Sequence, residues 1–172
     1  MKKKIEPTNV ERVMRDDEII VSKTDPKGRI AYGNEKFIEF SGYPEAELLG
    51  SQHNIVRHPD MPRGVFHLLW QTVASGNEIF AYVKNMALDG SFYWVLANVT
   101  PDYDTTGNIT GYLSVRRAPR RGAIPIIEDL YRRMKQVELS AGPRDACDAS
   151  VGMLNKLLKE KGVSYEQFVL NV

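Results

Sequence analysis

Residues 79–117 read IFAYVKNMALDGSFYWVLANVTPDYDTTGNITGYLSVRR, and apolar and polar side chains alternate along this stretch with a period of two. The turn signals Asp89-Gly90 and Thr106-Gly107-Asn108 divide it into three runs rich in β-branched and aromatic residues. The pattern therefore predicts a three-stranded antiparallel meander.

Segments upstream of this meander supply two more strands and several short helices. Residues 18–32 predict a hairpin around a turn at residues 25–28, where Pro and Gly stand at the positions that tight turns favour. Asn34 is placed to cap a helix, Pro44 begins a second short helix, and residues 63–75 predict an amphipathic third. The order of elements predicts an α+β domain with a five-stranded antiparallel sheet and short helices on one face.

The C-terminal part of the chain is predicted to be helical. Residues 119–125 are interpreted as a linker, and two amphipathic helices separated by Gly142-Pro143 follow it. Ser164 and Gln167 have the spacing of a capping box, which predicts a short last helix.

Composition excludes several classes of function. The 172 residues include 42% hydrophobic side chains, enough for one ordinary core, and the formal net charge is only +1. No overall field therefore draws the chain to nucleic acid or to anionic lipid. The locally basic groups are Lys2, Lys3 and Lys4, interpreted as a solvated tail, and Arg116, Arg117, Arg120 and Arg121, interpreted as a strand end running into a linker.

Cysteine usage and hydropathy favour a cytoplasmic location. The single cysteine, Cys147, cannot form an internal disulfide, and with three scattered histidines it offers no metal-binding cluster. No long apolar window is present, so we expect neither a membrane span nor export. An enzyme is not expected either, because the chain has no nucleophile elbow and no phosphate-cradling glycine loop.

The segment His53-Asn54-Ile55-Val56-Arg57-His58-Pro59-Asp60-Met61-Pro62 is the strongest candidate for ligand binding. Pro59 and Pro62 fix their own φ angles and bias the residues before them away from helical geometry. A stiff, non-helical turn would then present the polar side chains to a small molecule. A solvated loop that caps the next helix is the alternative.

The order of elements and a set of short motifs resemble the PAS domain family, over roughly residues 18–118. Within that family the chain is most similar to the FAD-binding PAS domain of Aer-type aerotaxis, or energy-taxis, receptors. The residues that carry this resemblance are Thr24-Asp25, Asn34, Ser41-Gly42-Tyr43, Glu47-Leu48-Leu49-Gly50, the segment 53–62, Trp70, Val83-Lys84-Asn85, Tyr93-Trp94-Val95 and Gly111-Tyr112. The Gly-Tyr and Glu-Leu-Leu-Gly motifs are common to PAS domains, whereas the segment 53–62 is far more restricted.

The resemblance implies noncovalent FAD bound by residues of this segment and of the sheet. Arg57 would bind the FAD pyrophosphate through charge-assisted hydrogen bonds, or else form a surface ion pair with Asp60 or another neighbour. His58 and Asp60 would contact the nucleotide or orient Arg57, and His53 would bond the flavin ring edge or the ribityl chain, or be an ordinary polar residue.

Three further residues are candidates for contacts with the flavin. The Asn85 amide offers a donor and an acceptor, which matches the polar pyrimidine edge of a flavin, although a strand-end Asn can also bond to backbone. Trp70 would stack near the isoalloxazine or belong to the core. Asn34 is also a candidate, but its role as a helix cap already explains it.

The resemblance implies a sensor of redox or oxygen status in aerotaxis-type signal transduction. The expected organisation is an N-terminal cap at residues 1–17, a PAS sensor domain at 18–118, and a linker with C-terminal helices at 119–172. Aer-type receptors continue into a membrane anchor and a methyl-accepting coiled coil. We therefore expect this chain to signal through a partner protein, such as a chemoreceptor or kinase-pathway component, or through a homodimer.

Other PAS functions remain open alternatives. A haem-binding gas sensor would use His67 as the axial ligand, with His53 and His58 as weaker candidates. A cofactor-free interaction module would need neither Arg57 nor Asn85. A light sensor that forms a cysteinyl adduct is disfavoured, because no cysteine lies between residues 1 and 146.

Overall fold

A hairpin opens the domain. In a computed structural model, which describes residues 5–172, β1 (Ile20–Thr24) pairs antiparallel with β2 (Ile30–Gly33) around a turn in which Gly28 has φ 77°. This left-handed conformation is open to glycine at no steric cost. The basic tail Lys2, Lys3 and Lys4 lies outside the described residues.

Four short helical segments follow the hairpin. They are α1 (Glu35–Ser41), α2 (Glu45–Leu48), a 3-10 turn (His53–Val56) and α3 (Arg63–Ala74). The Asn34 side chain accepts a hydrogen bond from the Phe37 amide and caps α1, as the sequence indicated.

The predicted meander forms the other half of the sheet. Its strands are β3 (Ile79–Met86), β4 (Phe92–Tyr103) and β5 (Ile109–Arg117), and β5 pairs antiparallel with β1. The resulting strand order is β2-β1-β5-β4-β3, so β2 and β3 are the edge strands and β5 is the central strand. The predicted fold class is confirmed.

The C-terminal helices begin earlier than predicted. A 3-10 turn (Arg121–Ala123) leads directly into α4 (Ile124–Lys161), so the linker is shorter than residues 119–125. The helix is broken at Gly142, which has φ 79° and ψ 168° and precedes Pro143. After α4 comes α5 (Tyr165–Asn171), which has the predicted capping box.

The first half of α4 lies against the free edge of the sheet. The Tyr131 hydroxyl donates a 2.7 Å hydrogen bond to the carbonyl oxygen of Tyr82 on β3. The Tyr131 ring also packs on Trp94 of β4, at a centroid distance of 6.3 Å. The helix thus covers backbone groups that an edge strand would otherwise expose.

The N-terminal segment crosses the same region of the fold. The Arg12 amide donates to the Phe92 carbonyl, and the Phe92 amide donates to the carbonyl of Val10. Glu11 forms a bidentate ion pair with Arg121, at the entrance to α4. The segment before the hairpin and the C-terminal helices are therefore joined to each other as well as to the sheet.

Candidate functional site

A cavity of about 460 Å³ lies between the inner face of the sheet and helix α3. The strands line it with Ser22, Thr24, Val83, Asn85, Ala97, Val99, Tyr112, Ser114 and Arg116. The opposite wall comes from the segment Gln52–Asn54, Arg57 and the residues of α3, and Cys147 of α4 completes it. The volume and the mainly apolar lining are typical of sites for small organic ligands.

The segment 53–62 is held against β3 by its backbone. Arg57 forms an antiparallel β-bridge with Asn85 on the free edge of that strand. The Met61 sulfur accepts a hydrogen bond from the Lys84 amide at 3.3 Å. Arg57 and Asn85 are therefore neighbours in the fold, although 28 positions separate their numbers in the chain.

Asn85 brings an unsatisfied amide to the cavity. Its side chain is only 3% exposed, and its Nδ2 atom has no hydrogen-bond partner within residues 5–172. A buried polar group without a partner costs about 1–3 kcal/mol. A buried hydrogen-bond donor therefore lines the cavity.

Arg57 lines the cavity, and within residues 5–172 its guanidinium uses only part of its hydrogen-bond donors. Its Nη2 atom donates to the carbonyl of Met61 at 3.1 Å, and its guanidinium lies 4.5 Å from the centre of the Phe66 ring. Burial lowers the pKa of Arg57, but the group remains a cation. The exposed side chains of Lys27 and Arg63 also line the cavity, so one part of its rim is cationic.

His53 lies partly buried in the cavity wall as a neutral ring. Its Nε2 atom is 3.0 Å from the Ser22 hydroxyl, and the ring stacks on Phe37 with an interplanar angle of 9°. Burial, with a further contribution from the charge of Arg116, lowers the pKa of His53 to about 3. At neutral pH the imidazole therefore offers one donor and one acceptor.

Trp70 forms the end of the cavity near the hairpin turn. Its ring meets Tyr112 edge to face at 5.4 Å. A Cβ atom at Gly28 would lie 3.3 Å from the indole, so the turn glycine also allows this close approach. With 36% of its surface exposed, Trp70 is neither a pure core residue nor a free surface side chain.

His58 and Asp60 do not line this cavity. The His58 ring accepts a hydrogen bond from the Asp60 amide, and the Asp60 carboxylate binds the Lys84 ammonium. Lys84 points to the other side of β3 from Asn85, because side chains alternate along a strand. The alternative ion pair of Arg57 with Asp60 is not formed within the part of the chain that the structure describes.

Asn34 is also outside the cavity. Its Oδ1 atom accepts hydrogen bonds from the Phe37 and Val21 amides, and its Nδ2 atom donates to the Ile19 carbonyl at 2.9 Å. Its polar atoms are therefore occupied in joining α1 to β1. The cavity thus gathers Arg57, His53, Trp70 and Asn85 and leaves His58, Asp60 and Asn34 elsewhere.

Sequence reasoning missed Arg116. It was interpreted with its neighbours as a strand end leading into a linker, whereas the structure buries it on the central strand, with 2% of its surface exposed. Because Tyr112, Ser114 and Arg116 alternate along one face of β5, the strand period contained the signal. Ser22, Phe66, Lys27 and Arg63 were also missed.

Among residues 5–172, no group of three or more His, Cys, Asp and Glu side chains is arranged to hold a metal ion. No helix in the same range has the length and apolar character needed to cross a lipid bilayer.

Comparison with known families identifies the fold. A family model described as the PAS fold matches residues 15–117. The aerotaxis receptor of Escherichia coli strain K12 is 34% identical over 91% of this chain, and the match covers 32% of the receptor. The predicted resemblance to the Aer-type PAS domain is thereby confirmed.

More distant relatives share the domain but not its surroundings. The nitrogen fixation regulatory protein of Klebsiella pneumoniae is 29% identical over 58% of this chain, and the match covers 20% of that protein. The chain therefore spans about a third or less of the length of these relatives. Among solved structures, the light state of the LOV domain of the blue-light photoreceptor Aureochrome1 superposes with a TM-score of 0.58. It is 21% identical, and the match covers 64% of this chain and 88% of that domain.

Proposed function

The chain belongs to the PAS family, and on that premise we propose that it is a sensory domain that binds FAD noncovalently and reports redox or oxygen status. The observation that carries this proposal is the unsatisfied Asn85 amide in an otherwise mainly apolar cavity. A flavin ring needs this combination of an apolar slot and polar groups at one end.

The polar groups of the cavity suit different parts of the ligand. The Asn85 side chain would donate to a carbonyl oxygen of the flavin pyrimidine and accept from its N–H group. Arg57, with Lys27 and Arg63 nearby, would bind the pyrophosphate through charge-assisted hydrogen bonds. Trp70 and Tyr112 would cover the apolar part of the ring.

The kinship of the chain supports a flavin over other ligands. A light-oxygen-voltage domain studied with a flavin analogue shares this fold, with a TM-score of 0.56 at 21% identity. The 34% identical relative is described as an aerotaxis receptor, which fits a sensor of oxygen or redox status. The cationic rim at Arg57 favours FAD over a ligand without a pyrophosphate.

Reversible reduction is the chemistry that a bound flavin supplies, and the protein residues convert it into a change of packing. Asn85 and Arg57 are joined by a backbone bridge, so a shift of either moves the segment 53–62. That segment also contacts α4, because Lys135 donates to the Pro59 carbonyl. A change at the cavity thus has a short route to the C-terminal helices, where a partner protein or a second copy would read it.

An absorption scan of the purified protein tests the cofactor. We expect a two-peaked flavin spectrum, either as purified or after reconstitution, and we expect heat to release FAD. FMN released in place of FAD would overturn the dinucleotide assignment. A Soret band would favour haem, for which His67 and His53 both line the cavity as candidate ligands.

Substitution of Asn85 tests the site. We expect Asn85→Ala to weaken FAD binding about tenfold or more, because a lost hydrogen bond in a buried site costs about 1–3 kcal/mol. Asn98→Ala is the matched control, since Asn98 lies on the neighbouring strand β4 and bonds to Glu78 rather than facing the cavity. Equal affinities of the two variants for FAD would contradict the proposal.

A further inference from the structure

Arg116 is a buried cation on the central strand of the sheet. Its guanidinium lies 4.7 Å from the centre of the Phe37 ring, and Nη2 donates a hydrogen bond to the Ser22 hydroxyl. Its Nε and Nη1 atoms have no hydrogen-bond partner, and no carboxylate pairs with it, within residues 5–172.

The surroundings of Arg116 do not neutralise it. Burial lowers the pKa of the guanidinium to about 10, so it keeps its proton at pH 7. The nearby His53 is neutral there, because burial lowers its pKa to about 3. Removing an ion from water costs several kcal/mol even after relaxation, unless another charge offsets the loss.

The cavity offers a place for a compensating negative charge. Arg116 occupies the centre of the sheet, paired with Ile20 on one side and Ala97 on the other, and it lines the cavity together with Ser22 and His53. The N–H groups on the buried Nε and Nη1 atoms of this cation are strong donors for a negatively charged ligand atom.

We propose that Arg116 selectively binds the reduced, negatively charged form of the flavin and so sets the redox threshold at which the sensor switches. The inference rests on the proposed function and adds a role for a residue outside the segment 53–62. Two electrons from a low-potential electron carrier and one proton from water convert the oxidised ring into an anion. No bond to the protein forms or breaks, and the negative charge is shared within the pyrimidine part of the ring.

Asn85 and Arg116 therefore have different roles: Asn85 sets the affinity for the flavin, and Arg116 sets its midpoint potential. The neutral amide of Asn85 bonds to the ring in either redox state and contributes to affinity for both. The charge of Arg116 interacts more strongly with the anion than with the neutral ring, and a low local dielectric strengthens that difference. Differential binding of the reduced form raises the midpoint potential of the bound flavin.

The test compares Arg116→Met and Arg116→Lys with wild type and with Arg117→Met. Arg117 is the matched control, because it is the next residue on β5 and is exposed on the other face of the strand. The midpoint potential of bound FAD is measured at pH 7 by dithionite titration against indicator dyes. For R116M we expect the ratio of affinities for reduced and oxidised FAD to fall at least tenfold, which lowers the two-electron potential by about 30 mV. R116K should keep most of the wild-type potential, and R117M should keep all of it.

The stability of the ligand-free protein supplies a readout that does not involve the flavin. Since R116M removes an uncompensated buried charge and keeps an apolar chain of similar length, its melting temperature without FAD should equal or exceed that of wild type. A residue with a purely structural role would instead lower that temperature on substitution. If R116M does not fold, R116Q carries the same expectations.

The outcomes separate the two proposals. A wild-type protein that takes up no flavin overturns both. Flavin-bound R116M with the wild-type potential overturns only the role of Arg116, as does a melting temperature of ligand-free R116M well below that of wild type.

Discussion

The carboxylate of Asp60 lies 2.7 Å from the ammonium of Lys84, on the side of β3 away from the cavity. Lys84 is 8% exposed and sits 4.5 Å above the Phe92 ring, while Glu128 of α4 is 3.8 Å away. Lys135 of α4 binds the loop at Pro59. The loop that borders the cavity through Arg57 is thus fastened to α4 through Asp60, and the same short segment contacts both the candidate ligand site and the candidate output helix.

Removal of Asp60 should cost more stability than removal of its partner. Burial opposes ionisation of Asp60, but the hydrogen bond and charge of Lys84 outweigh it and hold the pKa below its ordinary value. We expect Asp60→Asn to lower the free energy of unfolding by about 1 kcal/mol, discounted for the exposure of the carboxylate. Lys84→Met should cost less, because a methionine chain can pack under Phe92 and leaves no buried charge.

Urea unfolding of the two single variants and the double variant measures this relationship. The two effects should be non-additive. In the Lys84→Met background no cation remains at this position, so Asp60→Asn no longer leaves a lysine without its carboxylate partner. Simple additivity of the two free-energy changes would show that the ion pair contributes nothing.

Docking of α4 on α3 depends on the absence of a side chain at Gly64. The Glu138 carboxylate accepts hydrogen bonds from the Arg63 and Gly64 amides at 3.0 and 2.8 Å, and from the Ser150 hydroxyl at 2.8 Å. Because Pro62 provides no side-chain cap, Glu138 serves as the cap of α3 from a distant part of the chain. A Cβ atom at Gly64 would collide with the Ser150 hydroxyl and lie 3.2 Å from its Cβ atom.

Gly64→Ala should therefore release the C-terminal helices from the PAS domain. We expect faster limited proteolysis within residues 124–161 and a loss of stability, even though alanine is a better helix former than glycine. Gly152→Ala is the matched control, because a Cβ atom there meets nothing within 4 Å. That variant should be as stable as wild type or gain up to about 1 kcal/mol. Equal protection of the two variants from protease would rule out the proposed docking contact.

The sheet could be predicted from the sequence because its determinants are local. Alternation of side chains, together with the glycine turns at Gly28, Gly90 and Gly107, specified the strands, and all three glycines have positive φ. Asn34 was recognised as a cap for the same reason, since its partner Phe37 is three residues away.

The assignment of polar residues to the cavity depended on tertiary structure. His58 and Asp60 lie within three residues of Arg57 in the sequence, yet they lie on the other side of β3, because the backbone bridge to Asn85 fixes where the loop crosses the strand. The hydrogen bond from Arg116 to Ser22 joins strands β5 and β1, whose residues lie far apart in the sequence. Neither relationship has a signature in residue spacing alone.

Cys147 offers a direct report on ligand binding. It is the single cysteine of the chain, it is partly exposed, and it lines the cavity from α4. Bound FAD should shield its sulfur, so we expect saturating FAD to slow maleimide labelling of the protein several-fold. The Asn85→Ala variant, assayed at an FAD concentration too low to fill its weakened site, should label at its ligand-free rate. If saturating FAD leaves the labelling rate of the wild-type protein unchanged, the result argues against a ligand in this cavity.

Acid should destabilise the domain through its buried histidines. Burial lowers the pKa of His53 from 6.5 to about 3 and that of His58 from 6.5 to about 4. At a pH between 6.5 and the lowered pKa of each histidine, the unfolded chain binds a proton on that histidine and the folded protein does not. Stability is therefore fully present above pH 6.5 and falls as the pH drops through this window, by about 1.4 kcal/mol per pH unit for each histidine once well below 6.5.

Urea unfolding between pH 6.5 and 5 tests the share of His53, because most carboxylates remain ionised in that range. We expect His53→Gln to reduce the slope of the free energy of unfolding against pH by up to about 1.4 kcal/mol per pH unit, the contribution of one proton. The contribution of His58 should remain. His67→Gln is the matched control, since His67 lines the same cavity from α3 and the variant leaves His53, with its Phe37 and Ser22 contacts, in place. The contribution of His53 to the slope should therefore persist in that variant. A wild-type slope in His53→Gln would contradict the lowered pKa of His53, and with it the assignment of a neutral ring stacked on Phe37 and bonded to Ser22.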